Sequence, residues 1–197
     1  VERVKAVREA VGPDISIKVD ANGAWNAYTA VKVIKGMERY EVSVVEQPVP
    51  RWDVKGLIHV RRHVDTPIMV DESLHSPHDA LMLIENDACD VFLLKLAKLG
   101  GIYNTKKIIA IAESANIPCC MGSYGGSDYA GYAAFHVVAS MKLAWPHHFG
   151  LSTKLYKDDI VKGKERVEAV SYEVPKTPGI GVEIDEEKVK RYSIEKG

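Results

Sequence analysis

A charged residue closes an apolar, β-rich run at Asp20, Glu46, Asp71 and Lys95, at successive spacings of 26, 25 and 24 residues. The runs are Ile15–Asp20, Val42–Gln47, Pro67–Glu72 and Val91–Lys95, and Ile117–Gly122 and Ala144–Phe149 continue the series. Stretches of helical length separate them. In Val1–Val11 the apolar residues fall at 1, 4, 7 and 11, with Glu2, Arg3, Lys5, Arg8 and Glu9 largely on the other side, and Gly12-Pro13 ends the pattern. Ser76-Pro77 reads as an N-cap with proline at the first helical position. Alternating strand and helix predicts parallel βα units. In a barrel of such units all strand C-termini open on one face, so three acids and a lysine in register predict a shared mouth.

The fold class expected is α/β, a TIM-type (β/α) barrel in part. About six βα units occupy residues 1–150, and residues 151–197 form a C-terminal wrapping tail that packs on the barrel or on a missing cap domain. That tail carries a run rich in Lys, Asp and Glu, then Val174-Pro175 and Thr177-Pro178-Gly179-Ile180-Gly181. An eight-stranded barrel takes about 250 residues. The chain opens on a helix and on Val, which implies part of a larger polypeptide. The gap is expected to be filled by a missing N-terminal segment or another subunit, because six strands cannot close round an eight-strand core. A homo-oligomer is the expected assembly.

Charge narrows the partners. With 26 basic against 27 acidic side chains the net charge is −1, which argues against nucleic-acid binding by phosphate neutralisation. No apolar run reaches the roughly 20 residues of a membrane helix, and the charged start VERVKAVREAVG lacks the apolar core of a signal peptide. Cys89, Cys119 and Cys120 form no C-x-x-C pair and no metal spacing, so a reduced, cytoplasmic setting is expected.

Three carboxylates brought together repel, each pair by about 4 kcal/mol at 4 Å and an effective dielectric near 20. They either raise one another's pKa or bind a cation. Oxygen donors without Cys or His suit Mg²⁺, with Mn²⁺ as the substitute, and zinc poorly. Lys95 on the next strand end is the candidate base, its pKa lowered by burial and adjacent positive charge; the competing reading is a structural ion pair with Asp71 or Glu72. Lys18, two residues before Asp20 on the same strand face, is expected one layer deeper as an ion-pair partner. Asn22 is placed to steady a metal ligand or water.

The segments Val19-Asp20-Ala21-Asn22-Gly23, Val45-Glu46-Gln47-Pro48, Val70-Asp71-Glu72-Ser73-Leu74 and Leu94-Lys95-Leu96-Ala97-Lys98-Leu99-Gly100-Gly101 resemble the enolase superfamily, in its mandelate racemase/muconate lactonizing enzyme branch. The resemblance runs from about residue 1 into the tail, where PGIGVEI looks like the closing segment. It implies that the units are strands 3–8 of the family barrel, that Asp20, Glu46 and Asp71 are Mg²⁺ ligands, and that Lys95 is the sixth-strand lysine of the muconate lactonizing subgroup. It further implies a proton abstracted or returned α to the carboxylate of a small substrate, through a metal-held enolate. The family's capping domain and second-strand Lys-x-Lys motif would precede Val1.

Departures limit the choice of substrate. The seventh strand ends Met121-Gly122-Ser123-Tyr124, and Gly125-Gly126-Ser127-Asp128 stands where many relatives carry a glutamate. His147-His148 replaces the acid often found after the eighth strand; it either contacts substrate or forms a surface pair. Candidates for touching substrate or supporting the ligands are therefore Asn22, Glu72, Ser123 and His147. His59, His63, His75 and His78 read as solvated. The expected activity is a muconate cycloisomerase-like isomerase or a racemase/epimerase. The alternatives are an acid-sugar-type dehydratase of the same superfamily, an inactive fragment or pseudoenzyme acting as a packing partner, and a metal-dependent aldolase on an unrelated barrel.

Overall fold

Helix α1 (Glu2–Val11) precedes five repeats of strand and helix: β1 (Ile17–Asp20), α2 (Ala27–Glu38), β2 (Val42–Glu46), α3 (Val54–His63), β3 (Ile68–Val70), α4 (Pro77–Glu85), β4 (Val91–Leu94), α5 (Ile102–Ser114), β5 (Cys119–Met121) and α6 (Asp128–Val138). A last helix, α7 (Glu186–Tyr192), lies in the tail. The computed structural model describes residues 1–147, 156–162 and 173–194. The five strands form one parallel sheet in the order β1-β2-β3-β4-β5. This is part of a (β/α) barrel, as the period predicts.

Helices α2, α3 and α4 start where short polar side chains cap them. Asn26 accepts from the Thr29 N–H at 2.9 Å, and Asp53 accepts from the Gly56 N–H at 2.9 Å. Ser76 accepts from the Asp79 N–H at 3.2 Å while Asp79 accepts from the His75 N–H at 2.9 Å, with Pro77 at the first helical position. Entry into α5 is different. Gly100 and Gly101 both take positive φ, 76° and 97°, a turn that favours glycine over any residue bearing a Cβ.

Two apolar layers hold the sheet. Outward-facing residues such as Val45, Ile68, Val70, Phe92, Leu94 and Met121 pack against the helices through Ile34, Leu57, Leu83 and Ile108, all essentially sealed from water. Full burial of one such side chain contributes about 1.5–3 kcal/mol. Inward-facing Val44, Met69, Val91, Leu93 and Cys120 form a second cluster, with Trp145 packed on it. Two residues beyond Val44, Met69 and Leu93 come Glu46, Asp71 and Lys95, so the strand period of two points these charged groups the same way, one level above the inner apolar layer.

Two expectations are corrected in detail. The first strand begins at Ile17 rather than Ile15, because the Ile15 carbonyl accepts from Arg8 at 2.7 Å and not from a neighbouring strand. Arg8, on the polar side of α1, reaches well beyond its own helix. Its guanidinium also donates to the carbonyls of Gly12 at 2.6 Å, Pro13 at 3.4 Å, Tyr40 at 3.0 Å and Glu41 at 3.1 Å. The sixth run shrinks to a single parallel bridge between Ala144 and Cys119, since Pro146 has no N–H to continue a ladder; residues 148–149 of that run lie outside the described residues. In the tail, Val161 pairs antiparallel with Ile184, and Asp159 accepts from the Asp128 N–H at 2.9 Å at the start of α6. Among the described residues no helix is long and apolar enough to cross a membrane.

Candidate functional site

The mouth of the sheet is built from alternating acids and ammonium groups. Asp20 and Glu46 are register partners across β1 and β2. Glu46 pairs with Met69 across β2 and β3, and Val70 with Phe92 across β3 and β4, so Asp71 and then Lys95 stand successively higher. That stagger is what tilted barrel strands require.

Each carboxylate has a partner within the chain. Asp20 exposes its oxygens and accepts from the Asn22 N–H at 2.8 Å and the Asn22 amide at 3.0 Å, with Asn22 in the left-handed region at φ 45°. The same amide reaches Glu72 at 3.4 Å. Glu46 is 1% exposed and is paired with Lys18, the deeper layer expected of that lysine. Asp71 is equally buried and is held twice, by Lys95 and by Lys98. Asp71 and Ser73 also donate their N–H groups to the Gln47 amide oxygen, both at 3.1 Å.

These contacts decide the protonation states. Burial pushes the Glu46 carboxyl up to about 7, with Asp20 and Asp71 adding to the rise against the opposing pull of Lys18. For Asp71 burial works in the same direction, but Lys98 and Lys95 outweigh it and hold the carboxyl below its ordinary value. Burial would lower Lys95, yet its hydrogen bond to Asp71 and the charges of Asp71 and Glu46 raise it. The expectation of a depressed Lys95 is therefore corrected: the nearest charges are negative, and in this arrangement the side chain is an ammonium ion. Its Nζ also lies 4.7 Å from the centre of the Tyr124 ring.

Lys95 opens onto a small recess lined by Gly122, Ser123, Tyr124, Ser127 and Ala130. Ser123 thus stands beside Lys95. His147 does not open there: its Nδ1 accepts from the Met121 N–H at 3.0 Å, and burial lowers its pKa. His148 lies outside the described residues. Of the remaining histidines, His59 and His63 stack on one another at 4.2 Å on the outer face of α3.

Two residues of the mouth escaped the sequence reading. Gln47 is buried and bridges β2 to the β3 end, and Lys98 is buried beneath Asp71. The signal for Lys98 was its place three residues after Lys95, on the turn whose Leu99 N–H returns to the Lys95 carbonyl at 3.1 Å.

The donor set fits a hard divalent cation. It offers only oxygen, the carboxylates of Glu46 and Asp71 are desolvated, and Glu72 keeps a buried Oε2 with no hydrogen-bond partner next to the Asn22–Asp20 contact. Among the described residues no three His, Cys, Asp or Glu side chains are gathered closely enough to ligate one ion, and lysines hold the oxygens of Glu46 and Asp71.

A parallel βα sheet with acids and a lysine on its C-terminal ends defines a barrel whose functional face is that mouth. The family model described as enolase C-terminal domain-like matches residues 1–188, and the chain belongs to that family, in the mandelate racemase/muconate lactonizing branch of the enolase superfamily. It is similar to a hydrophobic dipeptide epimerase of Enterococcus faecalis, at 45% identity over 143 residues, 72% of this chain and 40% of that protein. It is 35% identical to the chloromuconate cycloisomerase CbnB of Cupriavidus necator over 199 residues, 98% of this chain and 52% of that protein. The crystal structure of a dipeptide epimerase from Cytophaga hutchinsonii, complexed with Mg and the dipeptide D-Ala-L-Val, superposes with a TM-score of 0.86 at 34% identity, covering 96% of this chain and 52% of that one. The chain spans about half the length of the relatives it matches.

Proposed function

We propose that the protein containing this chain is an isomerase that moves the proton α to a substrate carboxylate, with Asp20, Glu46 and Asp71 holding Mg²⁺ or Mn²⁺. The bound ion supplies Lewis-acid stabilisation of the charge that develops on the substrate carboxylate. Lys95 is the proton carrier on one face of the substrate: its ammonium Nζ, wedged between Asp71 and Tyr124, returns a proton, and as a free amine it takes one. Asn22 fixes the Asp20 oxygens, Ser123 lines the recess beside Lys95, and Glu72 supports Asn22. His147 secures the end of β5 and stays out of the chemistry.

The observation that carries the reading is Lys95 at the mouth, next to a buried acid and beside an open recess. The names of the similar proteins favour epimerisation of a small dipeptide. Cycloisomerisation is the second reading, favoured by the match over nearly the whole chain to a cycloisomerase. A 1,1-proton transfer needs a second group on the opposite substrate face, and the reading assigns that group to a part of the protein beyond the described residues. Among the described residues the edge of β1 away from β2 carries no strand, and further barrel strands would add there. The buried thiols of Cys89 and Cys119 suit a reducing, cytoplasmic setting.

The test is loss of the substrate α-proton signal in deuterated water, followed by NMR on the full-length protein. Lys95→Ala is expected to abolish exchange on at least one face while Mg²⁺ binding survives. Undiminished exchange on both faces in a folded Lys95→Ala protein would remove Lys95 from the chemistry.

A further inference from the structure

Lys98 is an unusual lysine. Its side chain is completely buried, and its ammonium group has three acceptors: the Asp71 carbonyl at 2.6 Å, Asp71 Oδ1 at 2.7 Å and the Leu93 carbonyl at 3.0 Å. An ammonium group has three N–H bonds, so none is left to offer a substrate. The placement excludes a proton-transfer role and leaves a mechanical one. Two of the three bonds go to the same residue, one to its backbone and one to its carboxylate, which locks the Asp71 side chain against rotation. The Asp71 amide N–H is fixed as well, by Gln47 at 3.1 Å. With Oδ1 turned down onto Lys98, only Oδ2 faces the mouth, where Lys95 touches it.

We infer that Lys98 is a positioning residue that makes Asp71 a one-oxygen ligand and thereby sets the choice of cation. The inference rests on the reading of Asp20, Glu46 and Asp71 as ligands. Mg²⁺ demands near-ideal octahedral geometry at about 2.0–2.1 Å, whereas Ca²⁺ takes 6–8 oxygens at about 2.3–2.6 Å and accepts both oxygens of one carboxylate. A carboxylate with one oxygen engaged elsewhere favours the smaller ion. Freeing it removes a constraint that matters more for Mg²⁺ than for Ca²⁺. The loss of a buried positive charge raises affinity for both divalent ions, so the ratio of the two affinities reports geometry with the charge effect largely cancelled.

The experiment is titration calorimetry of the full-length protein with MgCl₂ and, separately, CaCl₂, comparing wild type, Lys98→Met and Arg61→Met. Arg61 stabilises the far end of the barrel through Asp87 and Asp90 and touches no ligand, so its variant reports the effect of lost stability alone. The preference for Mg²⁺ over Ca²⁺ is expected to fall at least about tenfold in Lys98→Met and to stay unchanged in Arg61→Met. An unchanged ratio in a folded Lys98→Met chain would overturn the role of Lys98 and leave the ligand set standing. Wild type binding neither ion would overturn both. Should Lys98→Met not fold, infrared difference spectra of the wild-type carboxylate stretches on Mg²⁺ binding decide, with Asp71→Asn assigning the band. A one-oxygen signature for Asp71 supports the inference, and a two-oxygen signature overturns it.

Discussion

Lys18 on β1 and Glu46 on β2 form an ion pair that is open to water at one end and sealed at the other, the lysine side chain 27% exposed and the glutamate 1%. The asymmetry has an energetic consequence. Removing the lysine leaves a buried carboxyl with its principal counter-charge gone, and that penalty exceeds what the intact pair contributes. Lys18→Met is therefore expected to lower stability by about 1–3 kcal/mol. Lys18→Met combined with Glu46→Gln is expected to recover more than half of the loss, because no charge is then stranded. Urea unfolding of the four proteins in the cycle measures this, and simple additivity of the two single losses would contradict it.

The same carboxylate carries the metal prediction. A cation that binds the folded chain and not the unfolded one stabilises it, by about 2.7 kcal/mol at a free concentration 100 times the dissociation constant. Wild type should melt higher in MgCl₂, and Glu46→Gln should show little shift. Equal shifts in both proteins would mean that Mg²⁺ acts elsewhere.

The legible part of the chain was the part governed by period. The spacing of 26, 25 and 24 residues put Asp20, Glu46, Asp71 and Lys95 together at one mouth, and the capping signal at Ser76-Pro77 needed only local chemistry. What stayed hidden depends on side chains that travel. Arg8 reads as one more charge on the polar side of α1, yet it reaches the Tyr40 and Glu41 carbonyls at the end of α2. Glu38 of α2 accepts from the Asp65 N–H at 2.8 Å beyond α3, Arg61 of α3 grips Asp87 and Asp90 beyond α4, and Glu113 of α5 accepts from the Lys142 N–H at 3.0 Å beyond α6. A long charged side chain can snorkel or bond, and composition does not distinguish the two outcomes. Lys98 was hidden for the same reason. Its place three residues after Lys95 puts it near the mouth, but nothing in the sequence says that its ammonium lies beneath the Asp71 carboxylate.

Arg8 yields a stability prediction independent of the mouth. Its five carbonyl contacts join α1, the loop before β1 and the turn before β2. Hydrogen bonds from a charged donor contribute about 1.5–3 kcal/mol each when well protected, and several of these are solvent-exposed. Arg8→Met is expected to cost about 2 kcal/mol in total, read as a lower urea midpoint. Mg²⁺ affinity should be unaltered, since the contacts lie at the opposite end of β1 from Asp20. A changed affinity would show that the two ends of the strand are coupled.

Buried thiols give a third, chemical reading of the same core. Burial pushes the Cys119 thiol up to about 12 and raises Cys89 as well, with Asp90 adding to the effect at Cys89. The thiolate is the reacting species, so both residues should resist alkylation by iodoacetamide near pH 8 in the folded chain and react fully in urea. Rapid native labelling at either position would mean that the sheet opens at β5 or before β4.

His147 sets the pH response of the sixth-strand bridge. Its Nδ1 accepts the Met121 N–H, which requires that nitrogen to be unprotonated, and burial lowers its pKa below the ordinary 6.5. The unfolded chain therefore binds the proton at a higher pH than the folded one. The associated stability is fully present above about pH 6.5 and is lost as pH falls toward the lower folded value. Urea midpoints of wild type should decline between about pH 7 and pH 5 more steeply than those of His147→Gln, which does not titrate in this range. A labelled Met121 amide, followed by hydrogen exchange, places the effect: protection at Met121 should fall with pH in wild type, while the Ala30 amide in the interior of α2, bonded to the Asn26 carbonyl, should show no matching loss. Parallel slopes for the two proteins would assign the acid sensitivity to another group.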